Sequence, residues 1–99
     1  MKTREQVIAI LQTHKHSLSQ RWPISSLSLF GSVARGDQRE GSDVDLLIEL
    51  KGAMGWDFFN LAGELEALIG EKVDLIPREG IKPRYWDRIA PDVVEVFHV

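Results

Sequence analysis

Ser42-Asp43-Val44-Asp45-Leu46-Leu47-Ile48-Glu49-Leu50 is a short aliphatic run entered through two acids. Its apolar centre, bounded by a polar stretch with Gly41 before it and Lys51-Gly52 after it, reads as a strand over Val44–Leu50. Alternate strand residues share a face, so Asp43 and Asp45 project together from one end of an otherwise apolar element. Two carboxylates so placed repel one another and raise a pKa unless a cation neutralises them. A hard divalent cation such as Mg²⁺ takes oxygen ligands of this kind, with waters and phosphate oxygens completing its shell. The plainer alternative is a strand end that reaches solvent, with Asp43 capping a turn.

On the N-terminal side, Ser25-Ser26-Leu27-Ser28-Leu29-Phe30 alternates in its centre and predicts a second strand, ended by Gly31-Ser32. Val33 to Arg35 predicts a short helix, Gly36-Asp37 its end, and residues 37–42 a loop. Further upstream, Thr3 and Gln6 have capping-box spacing, and Val7, Ile8, Leu11 and Leu18 fall near one face of a helix over 4–18. Trp22-Pro23 interrupts the chain, because a residue before proline avoids helical backbone. On the C-terminal side, Asp57 is expected to cap a helix carrying Phe58, Leu61, Ala62, Leu65, Leu68 and Ile69, with Gly70 just past its end. Lys72 to Ile76 predicts a strand closed by Pro77. Pro83 opens a short helix to Ile89, which Pro91 stops. Val93 to Phe97 is either a fourth strand or a docking segment. The expected fold is a small α/β (α+β) domain over residues 1–99, with a mixed sheet of three to four strands and helices packed on it.

Asp74 strengthens the reading of the first two acids. It lies between Val73 and Leu75 in an apolar strand, where a carboxylate costs free energy unless it reaches water, a partner or a metal. If the strands 44–50 and 72–76 are neighbours, three carboxylates converge, a set suited to two-metal phosphoryl or nucleotidyl transfer. Two acids would hold metal, and the third would ligate one ion and take the proton of an attacking hydroxyl. The alternative for Asp74 alone is an edge residue pointing outward. Gly31-Ser32, between a strand and a helix, offers backbone N–H groups and a hydroxyl that can hold a phosphate, though it also describes an ordinary turn. Arg35 and Arg39 follow, and an arginine fork suits a polyphosphate; either could instead be a solvated surface arginine, Arg39 more so.

Composition narrows the classes. The 99 residues include no cysteine, which excludes disulfides, thiolate metal sites and a cysteine nucleophile. Hydrophobic residues at 43% and charged residues at 27% describe an ordinary globular chain, not a disordered one. No apolar run reaches the ~18 residues of a membrane span. Met1 to Gln6 leads into an amphipathic pattern without a signal-peptide core, so a cytoplasmic location is the expectation. The net charge of −3 is uneven: residues 1–39 sum to +4, residues 40–79 to −7 and residues 80–99 to 0. No broad basic footprint exists, so direct nucleic-acid binding is not expected.

Gly31-Ser32, ten intervening residues, Asp43-Val44-Asp45 and the distant Val73-Asp74-Leu75 together resemble the DNA polymerase β-like nucleotidyltransferase superfamily. The run Phe30-Gly31-Ser32-Val33-Ala34-Arg35-Gly36, continued by Ser42-Asp43-Val44-Asp45-Leu46-Leu47, is similar to its minimal nucleotidyltransferase branch, over nearly the whole chain. The resemblance implies a nucleotide-binding core in which Gly31 and Ser32 hold the triphosphate of ATP. Asp43 and Asp45 would bind Mg²⁺, two ions being expected, and Asp74 would be the third carboxylate. It also implies an antitoxin paired in a hetero-oligomer with a HEPN-domain ribonuclease toxin, to a tyrosine of which AMP is transferred. Two competing readings are an antitoxin that neutralises by contact alone and a subunit that adds nucleotides to a small molecule or an RNA end.

The remaining candidates carry less. His14 and His16 do not share a helical face, so they are expected to be solvated rather than to bind metal, and His98 is uninformative. Trp56, Phe58 and Phe59 suit adenine stacking, a partner or, most simply, the core. Tyr85 and Trp86 among Lys82, Arg84 and Arg88 suit either a protein interface or a short amphipathic helix on the sheet.

Overall fold

The computed structural model describes residues 1–99 and contains a mixed four-stranded sheet. Its strands are β1 (Ile24–Phe30), β2 (Val44–Leu50), β3 (Val73–Pro77) and β4 (Val94–His98), in the order β3-β2-β1-β4. β1 runs antiparallel to both β2 and β4, while β2 and β3 are parallel. A parallel pair needs a crossover. The helix α4 (Asp57–Ile69) supplies it, and places Leu61, Leu65 and Ile69 on one buried stripe.

Five helices occur: α1 (Arg4–Thr13), α2 (Lys15–Arg21), α3 (Gly31–Arg35), α4 and α5 (Pro83–Ile89). The capping box forms as expected: the Thr3 hydroxyl accepts from the Gln6 N–H at 3.2 Å, and the Thr3 N–H donates to Gln6 Oε1 at 2.9 Å. The single helix expected over 4–18 is corrected to two. The His14 imidazole Nδ1 sits 2.9 Å from the Ile10 carbonyl, the acceptor an uninterrupted helix would offer to the His14 N–H. That N–H turns to Leu11 O instead, at 3.1 Å, and the chain restarts at Lys15. His14 is therefore half-buried and internally bonded, not solvated as expected; His16 is exposed.

Asp57 is the first residue of α4, not its cap; Trp56 occupies the cap position without a side-chain hydrogen bond. An acid in the first turn still favours the helix through its dipole. Gly36 and Gly70 end α3 and α4 with φ of 81° and 75°, in the left-handed region where glycine carries no Cβ penalty. Pro77 belongs to β3, which tolerates it because β3 lies on the sheet edge. The open choice for the tail resolves as a strand. β4 pairs with β1, and the Val99 N–H donates to Ser25 O at 2.8 Å.

Val44, Leu46 and Ile48 of β2, with Leu27 and Leu29 of β1 and Leu75 of β3, form one core with Val7, Leu11, Leu18 and the α4 stripe. Fully burying each such aliphatic side chain contributes about 1.5–3 kcal/mol. The opposite face of the same strands carries Ser28 and Phe30, Asp45 and Leu47, and Asp74 and Ile76. The segment 78–92, two short 3-10 turns flanking α5, packs toward this second face. None of the helices is long and apolar enough to cross a membrane.

Candidate active site

The site lies where the end of β1 meets the beginnings of β2 and β3. Phe30 pairs with Asp45 across the antiparallel ladder, and Asp45 pairs with Asp74 across the parallel one. Directly paired residues project to the same face, so Asp45 and Asp74 stand side by side there. Asp43, two residues before Asp45, lies just ahead of β2 and is exposed, as is Asp74; Asp45 is half-buried.

Gly31 turns the chain from β1 into α3 with φ of 74°, and it packs against Asp45. A Cβ at this position would overlap Oδ2 of Asp45 and stand 3.1 Å from its Cγ. Glycine is thus required twice, for the backbone angle and for the room beside the carboxylate. Ser32 follows on the first turn of α3. Its carbonyl accepts from the N–H groups of Gly36 and Asp37, at 2.9 and 3.1 Å, while no side chain caps the start of the helix.

The Asp45 carboxyl is pushed up to about 6, chiefly by burial, then by repulsion from Asp74 and Asp43, with Arg35 pulling the other way. A half-buried acid beside two others is the electrostatic situation a divalent cation relieves. The residues fit Mg²⁺: all are hard oxygen donors, and only a glycine at 31 leaves room for the Asp45 carboxylate that packs against it. They do not form a closed cage, since no three His, Asp or Glu side chains are gathered tightly enough for one. Mg²⁺ ordinarily draws further ligands from water and substrate phosphates.

The arginines divide. Arg35, at the end of α3, donates from Nε to Asp37 at 3.1 Å and from Nη1 to Asp92 at 2.9 Å. Asp92 was invisible as a site residue in sequence, being 57 positions away; only the packing of the tail against α3 reveals it. Arg39 lies in the loop before β2, where its backbone N–H and carbonyl both bond Ser42. Its guanidinium is exposed and enters no ion pair, which fits a surface arginine and a phosphate-binding one alike.

Two aromatic expectations change. Trp56 and Phe59 are not core residues: they are 86% and 66% exposed, while only Phe58 packs against the core. They sit where α4 begins, beyond the C-terminal end of β2, about 20 Å of strand from the acids, so they do not stack on a nucleotide held there. In α5, Trp86 is half-buried under the Arg78 guanidinium, 3.7 Å from the ring centre, and Tyr85 is exposed beside Arg84 at 5.4 Å. His98 is exposed and lies 3.3 Å from Glu95.

Comparison with known proteins agrees with this geometry. The nucleotidyltransferase domain family matches residues 11–96. Protein adenylyltransferase MntA of Thermococcus cleftensis is 35% identical, over 97% of this chain and 98% of its own. A solved minimal nucleotidyltransferase superposes with a TM-score of 0.76 at 33% identity, covering 94% of this chain and 95% of the other. A chain of the complex between tri-AMPylated Shewanella oneidensis HEPN toxin and MNT antitoxin shares the fold, with a TM-score of 0.65 at 14% identity, covering 93% of this chain and 73% of that one. With the family's model matching residues 11–96, and about a third of the residues shared with the first two of these relatives along nearly the whole chain, this chain belongs to the nucleotidyltransferase domain family, among its minimal members.

Proposed function

We propose that the chain is an antitoxin that transfers AMP from ATP to a tyrosine hydroxyl of a partner HEPN ribonuclease toxin and so inactivates it. The observation that carries this reading is the row Asp45–Asp74 set against the Gly31 backbone at the start of α3. The name of the Thermococcus relative and the AMPylated toxin in the Shewanella complex support it.

In this reading the N–H groups and hydroxyl of Gly31 and Ser32 hold the β- and γ-phosphates of ATP, and Arg35 faces the same charge. Asp43 and Asp45, joined by Asp74, would hold two Mg²⁺ ions. Bound there, Mg²⁺ supplies charge neutralisation at the transferring phosphorus and the leaving pyrophosphate. Asp74, exposed at the sheet edge, is open to an incoming hydroxyl and accepts its proton. The tyrosine oxygen forms a bond to the α-phosphorus, the bond from that phosphorus to the bridging oxygen of the β-phosphate breaks, and pyrophosphate leaves.

The test is incubation with labelled ATP, Mg²⁺ and a HEPN protein encoded beside this chain, with the label located by mass spectrometry. AMP on a toxin tyrosine is expected. Asp74→Asn should slow transfer by about 10²–10⁴-fold while ATP binding and complex formation persist. Full protection of cells by a transfer-dead Asp74→Asn protein would replace this reading with neutralisation by contact. The exposed Trp56 and Phe59, whose rings lie 6.0 Å apart, are the observation that favours the contact reading.

A further inference from the structure

Arg35 is held from two separate places in the chain. Its Nε donates to Asp37 at 3.1 Å and its Nη1 to Asp92 at 2.9 Å. A guanidinium has five N–H donors, so three, both of those on Nη2 among them, have no partner within the chain. The helix sets where this group lies. Arg35 is three residues after Ser32 on α3, so the two share a face. Helical side chains lean toward the helix N-terminus, which carries the guanidinium back toward the Gly31-Ser32 turn. It is close enough to Asp45 to favour that carboxyl's charged form, against burial and repulsion. Asp92 is fixed independently. It follows Pro91, whose ring sets φ, and stands two residues before Val94, which pairs with Leu29 of β1. Leu29 is itself two residues before Gly31. Both partners of the ion pair are therefore anchored on the end of one strand.

We propose that Asp92 is a positioning residue, which holds the Arg35 guanidinium with Nη2 turned toward the phosphates of the nucleotide. The proposal rests on the nucleotidyltransferase reading of the acids and adds to it a residue of the tail. A long exposed side chain must otherwise be ordered each time an anion binds, and that ordering costs affinity. A carboxylate on a rigid backbone does it in advance. Stabilising the fold is a weak alternative reason for the pair, because exposed ion pairs add little to stability. Nor does α3 need Asp92 to stay in place. Its Ala34 carbonyl is met from the other end of the chain, where Arg4 Nη1 donates to it at 2.8 Å, and Val33 and Ala34 are buried. What Asp92 fixes is thus the side chain, not the helix. The charge of Asp92 works against a bound anion while its geometry works for one, so substitution can separate the two.

The experiment is calorimetric titration of the chain with ATP and with inorganic tripolyphosphate, both with Mg²⁺. The proteins are the wild type, Asp92→Asn, Asp92→Ala, Arg35→Gln and the double variant Arg35→Gln with Asp92→Ala, each also followed by thermal melting. Asp92→Asn keeps an acceptor for Nη1 and loses the charge; Asp92→Ala loses both. Asp92→Ala should weaken both ligands about three- to tenfold, the cost of ordering one long side chain on binding, with the melting temperature nearly unchanged. Asp92→Asn should bind both at least as tightly as the wild type. Arg35→Gln should weaken both, and in that background Asp92→Ala should add nothing, since it acts through Arg35. Unchanged or tighter binding by Asp92→Ala overturns the proposal and makes Asp92 a competitor for the guanidinium. An equal loss from Asp92→Ala with and without Arg35 overturns it in favour of a structural role for the tail. Both of those outcomes leave the nucleotidyltransferase reading standing, because the wild type still binds. Failure of the wild type to bind either ligand overturns both.

Discussion

On the helix-covered face of the sheet, Val44, Leu46 and Ile48 of β2 share a core with Leu61, Leu65 and Ile69 of α4, and all six are fully buried. On the other face the same strand presents Asp45, Leu47 and Glu49: a half-buried acid, a buried leucine and an exposed acid. The first face gains from excluding water, and the second must admit water, ions or substrate, because a carboxylate cannot be buried unpaired without cost. One strand serves both because its side chains alternate. Stability and chemistry are thereby separated by a single residue step, and each can be disturbed while the other stands.

The largest separation should come from Asp45→Asn. Transfer is expected to fall by ~10³-fold or more, since a neutral amide would not replace the carboxylate proposed to hold Mg²⁺ at the centre of the row. The fold should persist. A folded Asp45→Asn protein with an unchanged transfer rate would break the division between the faces. Leu65→Ala makes the reciprocal test. It should destabilise the chain by about 2–5 kcal/mol, read in urea melts, while transfer per folded molecule below the transition stays as it was.

Gly31→Ala falls on the boundary. It forces a Cβ into the Asp45 carboxylate at a backbone angle that side chains rarely adopt. A loss of about 1–3 kcal/mol is expected, together with weakened ATP binding, because the turn and the acid must move apart. Retention of both properties would show that the two elements are not packed as described.

The smallest effect is one of pH. Asp45 ionises near 6 in the fold and near 3.8 as an ordinary carboxyl. Between those values the native chain keeps a proton that the unfolded chain has released, so stability falls as pH rises from about 4 to about 6 and stays lower above. Asp45→Asn should therefore be the more stable protein at pH 7.5 in EDTA, by ~1–2 kcal/mol after allowance for solvent at this half-buried group, and the advantage should vanish below pH 4. Thermal melts across that range measure it. An advantage that grew on acidification would refute the repulsion.

The chain by itself determined what depends on neighbours along it. The span Val44–Leu50, the capping box at Thr3, the turn glycine at 70 and the opening of α5 at Pro83 were all legible, because periodicity, capping and φ preference act within a few residues. Legible too was the candidate set Gly31, Ser32, Asp43, Asp45 and Asp74, of which the structure brings Gly31, Asp45 and Asp74 together. Local pattern was outvoted at His14, where one side chain competes for a backbone carbonyl, and at Trp56, whose helical backbone makes it, rather than Asp57, the residue that begins the turn into α4.

Tertiary structure alone decided the rest. That Asp45 and Asp74 are partners depends on β2 and β3 pairing in parallel in one register, and a shift of one residue would send Asp74 to the core face. That Arg35 meets Asp92, and that Tyr85 and Ile89 come to face Phe30, depends on where a tail with little periodicity of its own comes to rest. The physical reason is the same in each case. Hydrogen-bond register and long-range packing are settled by the free energy of the whole sheet and core, to which no short stretch of sequence has access on its own.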